Sequence, residues 1–268
     1  PDRIVIGVDS KRAREMLVNL YKPLNAPIVI TNIKSAELIK HASNAFLATK
    51  ISFINAISRI CDQVGADVEE VAKGMGLDKR IGRSFLNAGA GYGGSCFPKD
   101  LDAFINISQN AGYNFELLRA VKKINQEQKR FLLKKIKDNL WIVKDKTIAV
   151  LGLAFKPDTD DIRSAPSLDL ISALKQEGAF LRIYDPQAMK KAKEILPDVK
   201  FCKDSYEAAR GADCLLVVTE WNEFKELDFA KIKKLLKRAL IIDGRNIYDP
   251  AQVRKMGFTY VAIGRKGL

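Results

Sequence analysis

From Lys146 onward, short apolar segments alternate with stretches of helical pattern. The first segment, residues 147–151, is continuously apolar and runs into Gly152, which is typical of a strand buried on both faces of a parallel sheet. Similar segments follow at residues 180–184, 214–218 and 239–242, and a helical pattern covers residues 167–177. This alternation predicts a doubly wound α/β fold for residues 141–268, with ligands bound at the carboxyl ends of the strands.

The first half of the chain is organised differently. Residues 3–8 and 28–30 are strand-like and flank a helical pattern over residues 11–21, which is too little to close a sheet. We therefore interpret residues 1–33 as a remnant of an N-terminal α/β domain. Helical patterns then cover residues 35–64, 66–75, 101–111 and 116–139, and Ser35 and Asp67 are the predicted N-caps of the first two. Residues 34–140 are thus predicted to form a helical central region with enough apolar surface to dimerise.

The net charge of +13 raises the question of a nucleic-acid partner. The lysines are spread over many helical segments without aromatic residues between them, so we expect solvated helix faces and no nucleic-acid binding. No apolar run reaches the length of about 18 residues that a membrane span needs, and we predict no membrane partner. The four cysteines form no Cys-x-x-Cys pair, which suggests neither a metal site nor a disulfide framework and favours a cytoplasmic setting. The single histidine, His41, is interpreted as structural.

The segment 91–100, which reads GYGGSCFPKD, concentrates reactive residue types. Its glycines can adopt positive φ and let the backbone approach a ligand closely. Cys96 can act as a nucleophile, Lys99 can hold a phosphate, and Asp100 can move a proton. The alternative from composition alone is a glycine-rich turn with an inert cysteine, since free cysteine is usually buried.

Two further sets of polar residues are candidates for a site. Lys40 and Asn44 are four residues apart and share one face of a predicted helix, where they could also be a simple polar edge. Lys156 and Arg163 lie in a loop leading into a helix, where cations and helix N–H groups can meet phosphates. The alternative for this loop is a set of surface ion pairs. The sequence GLAF after the first apolar segment lacks the later glycines of a dinucleotide fingerprint.

GYGGSCFPKD resembles the active-site segment of the nucleotide-sugar 6-dehydrogenases. The spacing of Lys40 and Asn44 is similar to that on the long central helix of this family, and residues 155–167 (FKPDTDDIRSAPS) resemble the signature of its C-terminal nucleotide domain. The resemblance implies a homodimer through the central helices and a Rossmann-like C-terminal domain. It covers essentially the whole chain but corresponds only to the later part of the family. We therefore expect a truncated chain that lacks most of the NAD-binding domain, is inactive alone and still binds the UDP-sugar.

The resemblance also implies roles for individual residues. Cys96 is the implied nucleophile, Lys40 and Asn44 stabilise the reacting centre, and Asp100 activates water. Cys96, Lys99 and Arg163 are the implied contacts with the cofactor NAD. The implied substrate contacts are Lys40, Asn44, Arg80, Phe85, Leu86, Asn87, Ala88, Gly89, Tyr92, Gly93, Phe155, Lys156 and Arg245. Arg80 is implied to reach a substrate across the dimer interface.

The family oxidises an alcohol to an acid in two NAD-dependent steps, with the carbon held on cysteine as a thiohemiacetal and then a thioester. Ser95 before Cys96 points to UDP-glucose, because relatives that act on N-acetylated sugars carry histidine at that place. GDP-mannose is the alternative substrate, because its dehydrogenase shares the Ser-Cys form. Outside the family, the alternatives are a non-catalytic sugar-nucleotide-binding dimer and a basic nucleic-acid-binding module, whose DNA binding would depend steeply on salt.

Overall fold

The computed structural model describes residues 1–265, which form a two-stranded sheet, a group of long helices and a six-stranded sheet. The first unit contains β1 (Ile4–Gly7), α1 (Lys11–Tyr21), a 3₁₀ turn (Lys22–Leu24) and β2 (Ile28–Thr31). Strands β1 and β2 pair in parallel, with Ile4 opposite Ile28. The predicted strands and helix of this unit are confirmed. Among the described residues, no helix is both long enough and apolar enough to cross a membrane.

Four helices follow: α2 (Ile33–Val64), α3 (Val68–Gly76), α4 (Phe97–Asn110) and α5 (Glu116–Leu140). The predicted Ser35 cap of α2 is wrong. The cap is Asn32, whose side chain accepts a hydrogen bond from the Ser35 amide at 2.8 Å. The Asp67 cap of α3 is confirmed, since its carboxylate accepts from the Glu69 amide at 2.8 Å.

Helix α4 begins at Phe97, four residues before the predicted start at residue 101. Pro98 accounts for the difference, because proline fits the first turn of a helix, where its missing N–H leaves no bond unmade. This start places Cys96 at the N-cap and Asp100 in the first turn of one helix.

Helix α2 packs against both α4 and α5 around small residues. Ala45 and Ala48 of α2 are buried with Leu101 of α4 and Leu118 of α5 in one apolar cluster. The small side chains let the helices approach closely. This packing fixes the position of Asn44, which lies one turn before Ala48 on α2. His41 stacks on Phe104 of α4 with ring centroids 6.1 Å apart.

The remaining chain builds the six-stranded sheet. Its strands are β3 (Thr147–Leu151), β4 (Phe180–Tyr184), β5 (Lys200–Phe201), β6 (Cys214–Val217), β7 (Leu240–Asp243) and β8 (Thr259–Ala262), and its helices are α6 (Pro166–Gln176), α7 (Met189–Ile195), α8 (Ser205–Ala209), α9 (Asn222–Lys225), α10 (Phe229–Leu235) and α11 (Pro250–Lys255). All pairings are parallel and the order is β5-β4-β3-β6-β7-β8. The predicted doubly wound fold is confirmed.

Two strands of this sheet were not predicted, and both lie at its edges. Strand β5 has only two residues, and β8 alternates between exposed and buried residues. Neither gives the continuous apolar run that marks the central strands, whose residues Ile148, Val150, Leu215 and Ile241 are fully buried.

The sheet order creates a crevice between β3 and β6. From β3 the chain proceeds to β4 on one side, and from β6 it proceeds to β7 on the other side. In doubly wound sheets, ligands bind outside the carboxyl ends of the strands at such a switch point. The loops that follow Leu151 and Val217 therefore border the expected binding crevice.

Candidate active site

The segment from Phe85 to Gly94 connects the central helices to the carboxyl ends of the sheet. Its amide at Ala90 donates to the Gly244 carbonyl at 2.8 Å, and its amide at Gly94 donates to the Arg163 carbonyl at 2.8 Å. At Gly93 a β-carbon would collide with the carbonyl of Ser164, so only glycine lets the two backbones lie this close. The segment is thereby fixed between two parts of the chain.

Three buried amide side chains form hydrogen bonds with the backbone of this segment. Asn125 of α5 accepts from the Tyr92 amide at 2.9 Å and donates to the Tyr92 carbonyl at 3.1 Å. Gln128, one turn further on, donates to the Gly89 carbonyl at 3.0 Å, and Asn55 of α2 accepts from the Gly89 amide at 2.9 Å. These bonds satisfy backbone groups that would otherwise be unpaired in the interior.

These amides were not predicted from the sequence, although a signal exists. On α5 the buried face runs through Val121, Asn125, Gln128 and Leu132, with spacings of four, three and four residues. Asn125 and Gln128 therefore occupy core positions of an amphipathic helix. Polar side chains at such positions need partners, because burying an unpaired polar group is unfavourable.

A cavity of about 370 Å³ lies between this segment and the loops after β3, β6 and β7. Its lining residues are Ile51, Phe85, Asn87, Gly91, Tyr92, Gly93, Phe97, Phe155, Lys156, Glu220 and Arg245. Seven of these residues are predicted substrate contacts, namely Phe85, Asn87, Tyr92, Gly93, Phe155, Lys156 and Arg245. The position matches the crevice that the sheet order predicts.

The predicted contacts between 85 and 89 divide into two sets. Phe85 and Asn87 border the cavity, whereas Leu86 and Ala88 are buried in the large apolar core. Successive side chains from Phe85 to Ala88 thus point alternately to the cavity and to the core. A ligand in the cavity can contact Leu86 and Ala88 only through their backbone, and the Gly89 amide and carbonyl are already bonded to Asn55 and Gln128.

Phe85 is held in a strained conformation. Its φ is +65°, a region that bulky residues rarely adopt. Its ring packs edge-on against Phe97 at 6.2 Å, and Phe97 packs edge-on against Tyr92 at 5.8 Å. Backbone strain concentrates at functional sites, and here it positions an aromatic ring at the wall of the cavity.

Arg245 connects the three loops around the cavity. Its Nε donates to the Val218 carbonyl at 2.7 Å, and its two Nη atoms donate to the carbonyls of Gly91 at 3.1 Å and Phe155 at 3.3 Å. Glu220 lies 3.3 Å from Nε. The guanidinium therefore both supports the cavity wall and contributes a partly neutralised positive charge.

Cys96 lies beside this cavity, immediately before Phe97. Its thiol is exposed at the start of α4, with Ser95 Oγ 3.7 Å from Sγ. The positive end of a helix dipole favours negative charge at this place. The other three cysteines are buried, and burial raises the pKa of the Cys214 thiol to about 12. Cys96 is thus the accessible thiol of the four.

Asp100 is the buried carboxylate one turn after Cys96. Asn44 of α2 donates from Nδ2 to Asp100 Oδ2 at 2.5 Å, and Lys99 Nζ lies 3.6 Å from Oδ1. The fold therefore brings together Asn44 and Asp100, which are 56 residues apart in sequence. Lys40 is exposed one helical turn before Asn44.

The predicted cationic contacts differ in their surroundings. Arg163 pairs with Asp161 at 2.7 Å, and this carboxylate raises the pKa of the Arg163 guanidinium. Lys156 is exposed, with Nζ 5.6 Å from the centre of the Phe155 ring. The Arg80 side chain is 89% exposed and pairs with Asp78 at 2.6 Å, and it does not border the cavity.

A doubly wound sheet with a ligand-sized cavity at its switch point, and an exposed thiol beside a buried carboxylate–amide pair, define an α/β protein of the nucleotide-binding type with a candidate cysteine site. The chain belongs to the UDP-glucose/GDP-mannose dehydrogenase family. Residues 34–127 match the central domain of this family and residues 149–250 match its UDP binding domain.

Similar proteins of known name support this membership. The chain is 50% identical to the UDP-glucose 6-dehydrogenase TuaD of Bacillus subtilis, over 98% of this chain and 58% of TuaD. It is 46% identical to a UDP-glucose 6-dehydrogenase of Rhizobium meliloti, over 99% of this chain and 62% of that protein. The structure of a UDP-glucose dehydrogenase from Pyrobaculum islandicum matches with a TM-score of 0.90 and 35% identity, over 98% of this chain and 59% of that chain. The chain thus spans about three fifths of the relatives it matches.

Proposed function

We propose that the chain is the central and UDP-binding part of an NAD-dependent UDP-glucose 6-dehydrogenase, which oxidises UDP-glucose to UDP-glucuronate. The observation that carries the proposal is the exposed Cys96 thiol next to the buried Asn44–Asp100 pair. Both lie at the edge of the cavity of about 370 Å³ at the switch point, which is called the candidate substrate cavity below. The relatives at 50% and 46% identity are named UDP-glucose 6-dehydrogenases. Structures of a UDP-D-ManNAc dehydrogenase and a GDP-mannose dehydrogenase are less similar in sequence, at 29% and 26% identity.

In the proposed reaction Cys96 is the nucleophile. NAD, when bound, takes up a hydride in each of the two oxidations. The Cys96 sulfur adds to the aldehyde carbon to form a thiohemiacetal, and the second oxidation leaves a thioester. Water then attacks the thioester carbon, the acid forms, and the sulfur leaves as the thiolate.

The neighbouring residues manage charge and protons in this scheme. Asp100 accepts a proton from the attacking water, and its position is fixed by the hydrogen bond from Asn44. Lys40 stabilises the negative charge that develops on the reacting oxygen. A positive residue at an exposed place can reach that oxygen without first breaking an ion pair, and Lys40 has no carboxylate within 4.0 Å among residues 1–265.

The described residues on the thiol side fit a dinucleotide. Lys99 and Arg163 are mostly exposed cations, Lys99 in the first turn of α4 and Arg163 just before α6, where its carbonyl accepts from the Gly94 amide. Cations near helix N-termini can hold phosphate groups of NAD through charge-assisted hydrogen bonds. We propose Cys96, Lys99 and Arg163 as its contacts.

The function is tested first by the binding of UDP-glucose, measured by titration calorimetry. We expect binding, and we expect Lys156→Met to weaken it by about tenfold, because a charge-assisted bond to a phosphate is lost. The control is Lys190→Met, which removes an exposed lysine of α7 that does not border the cavity.

Three outcomes of this titration would count against the proposal. They are no binding of UDP-glucose, equal binding by the wild-type and Lys156→Met proteins, and tighter binding of GDP-mannose. Addition of NAD to the same sample tests the further proposal that the chain is inactive alone. Formation of NADH would contradict that part and leave the substrate assignment in place.

We also propose a homodimer through the central helices. On α2 the side chains of Phe46, Phe53 and Ile60 are seven residues apart and are 66%, 48% and 55% exposed. Such a repeat forms one apolar stripe along a helix, which is typical of a helix that packs against another. Arg80, exposed and outside its own cavity, is proposed to reach the partner's site.

Phe53→Glu is expected to weaken dimerisation at least about thirtyfold, because truncating or charging a central apolar anchor removes about 2 kcal/mol or more. Sedimentation velocity over a concentration series measures the change. Phe180→Glu is the control, since Phe180 is 61% exposed at the start of β4. An unchanged dimer in the Phe53 variant, or a monomeric wild-type chain, would refute the proposed interface.

The remaining assignments stay predictions. We propose that residues 1–33, 34–140 and 141–268 are separate domains, because the two-stranded sheet, the helices and the six-stranded sheet fall into these ranges for the residues that the structure describes. A cytoplasmic location remains the prediction from the cysteine pattern.

A further inference from the structure

A second cavity, of about 440 Å³, lies between the ends of α2 and α5 and the edge strand β8. No residue that borders it also borders the candidate substrate cavity. Its charged lining residues are Asp62, Lys134, Lys135, Asp138, Arg254 and Arg265. The proposed dehydrogenase chemistry uses none of them.

Two of the four cations are already paired. Arg265 holds Asp67 through Nε and Nη2 at 3.0–3.1 Å, and Lys135 lies 2.8 Å from Asp62 Oδ2. Arg254 and Lys134 have no carboxylate within 4.0 Å among residues 1–265. Asp138 is exposed at the rim, one turn after Lys134 on the same helix. The wall of the cavity therefore carries two cations that are available to an anion.

Arg254 also has an unused donor. Its Nη1 is buried and has no hydrogen-bond partner, and its Nη2 reaches only the Tyr260 carbonyl, at 3.4 Å. The guanidinium lies 5.9 Å from the centre of the Tyr260 ring, which holds it against the cavity wall. A buried charged donor without a partner is unfavourable, and an anion in the cavity would relieve this.

Asp62 provides the complementary feature. Its side chain is only 6% exposed, yet neither carboxylate oxygen accepts a hydrogen bond. The Lys135 ammonium balances the charge from a direction that does not satisfy hydrogen-bond geometry. Oδ1, which has no partner, is therefore a free acceptor for a donor such as a hydroxyl group.

We propose that this cavity binds a small phosphate monoester that carries hydroxyl groups, with Arg254 and Lys134 on the phosphate and Asp62 accepting from the hydroxyls. Free cationic donors and free carboxylate acceptors in one cavity match the two halves of such a ligand. The cavity is at least as large as the one proposed for a nucleotide sugar, so a sugar phosphate fits inside it. The alternative occupant is water, which would satisfy the same atoms without selectivity.

Titration of the chain with glucose 1-phosphate, inorganic phosphate and glucose tests this proposal. We expect the sugar phosphate to bind more tightly than either part. Arg254→Met is expected to weaken both phosphate-containing ligands by at least about tenfold, since a charge-assisted hydrogen bond is lost. Asp62→Asn is expected to weaken the binding of glucose 1-phosphate without weakening the binding of inorganic phosphate. Arg254→Lys keeps the charge and should restore part of the affinity, which separates loss of the site from loss of folding.

Two controls locate the binding. Lys190→Met removes a charge elsewhere, and Lys156→Met alters the candidate substrate cavity. Both variants should leave the affinity for glucose 1-phosphate unchanged. Loss of sugar-phosphate binding in Lys156→Met would place the ligand in the substrate cavity and overturn the proposal. Absence of binding, equal binding by Arg254→Met, or binding of inorganic phosphate with no gain from the sugar would overturn it too. These outcomes are independent of whether UDP-glucose is the substrate.

Discussion

Replacement of Asn125 by leucine is expected to lower the free energy of unfolding by about 3 kcal/mol, because two buried backbone groups lose their partner at about 1–3 kcal/mol each. The groups are the N–H and C=O of Tyr92, which Asn125 bonds at 2.9 and 3.1 Å. Leucine has the same number of side-chain heavy atoms and the same branching at Cγ, so the effect reports the lost hydrogen bonds and not a cavity. Urea unfolding followed by circular dichroism measures it.

The same substitution is expected to weaken UDP-glucose binding even when the variant is fully folded. Tyr92 and the neighbouring Gly91 and Gly93 border the candidate substrate cavity, and Asn125 fixes their backbone from the α5 side. Precise positioning of binding groups depends on such supporting bonds. Affinity is measured by calorimetry at a temperature where the variant is fully folded.

Gln126→Leu is the matched control for Asn125→Leu. Gln126 is the next residue of the same helix and is exposed, so its replacement should change the free energy of unfolding by no more than about 0.5 kcal/mol. Gln128→Leu removes the bond to the Gly89 carbonyl and the bond that Gln128 accepts from Arg59 Nε at 3.1 Å, so it should also destabilise the protein. If Asn125→Leu and Gln126→Leu are equally stable, the amide does not hold the segment.

The sheet was predictable from sequence because its central strands are short, apolar and regularly spaced. Burial on both faces removes the alternation of polar and apolar residues, and the strands beginning at Thr147, Cys214 and Leu240 show this directly. Edge strands β5 and β8 face solvent on one side and carry no such signature. Helix starts were less predictable, since Asn32 and Ser35 are both good caps and only the three-dimensional contact chooses between them.

The candidate site was predictable in its residue types and not in its geometry. The resemblance of GYGGSCFPKD pointed to Cys96 and Asp100, and the structure adds that Asn44 bonds Asp100 directly. The sequence alone did not show that Leu86 and Ala88 pack into the core while Phe85 and Asn87 face the cavity. That distinction depends on which side of the segment packs on the core, which is set by contacts distant in sequence.

Gly152→Ala is expected to lower the free energy of unfolding by about 3 kcal/mol, through backbone strain and overpacking of about 1–3 kcal/mol each. Gly152 follows β3 with φ of +99°, and a β-carbon there would lie 2.6 Å from the Thr219 amide nitrogen and 2.5 Å from its Cβ. Thr219 follows β6 and donates to the Ala154 carbonyl at 2.6 Å, so it cannot move away freely. Urea unfolding measures the loss.

Gly211→Ala separates the effect of backbone strain from the effect of overpacking. Gly211 has φ of +70° with nothing within 4 Å of the β-carbon position, so its replacement should show only the left-handed backbone term, about 1 kcal/mol. A larger loss for Gly152→Ala would establish that close approach of the β3 and β6 ends, and not glycine's φ alone, demands the residue. Equal losses would contradict this.

Because those two strand ends border the switch-point crevice, a substitution that forces them apart should weaken UDP-glucose binding as well. The first glycine of the incomplete fingerprint then serves the packing of the crevice, even though the glycines that would approach a dinucleotide are absent from it.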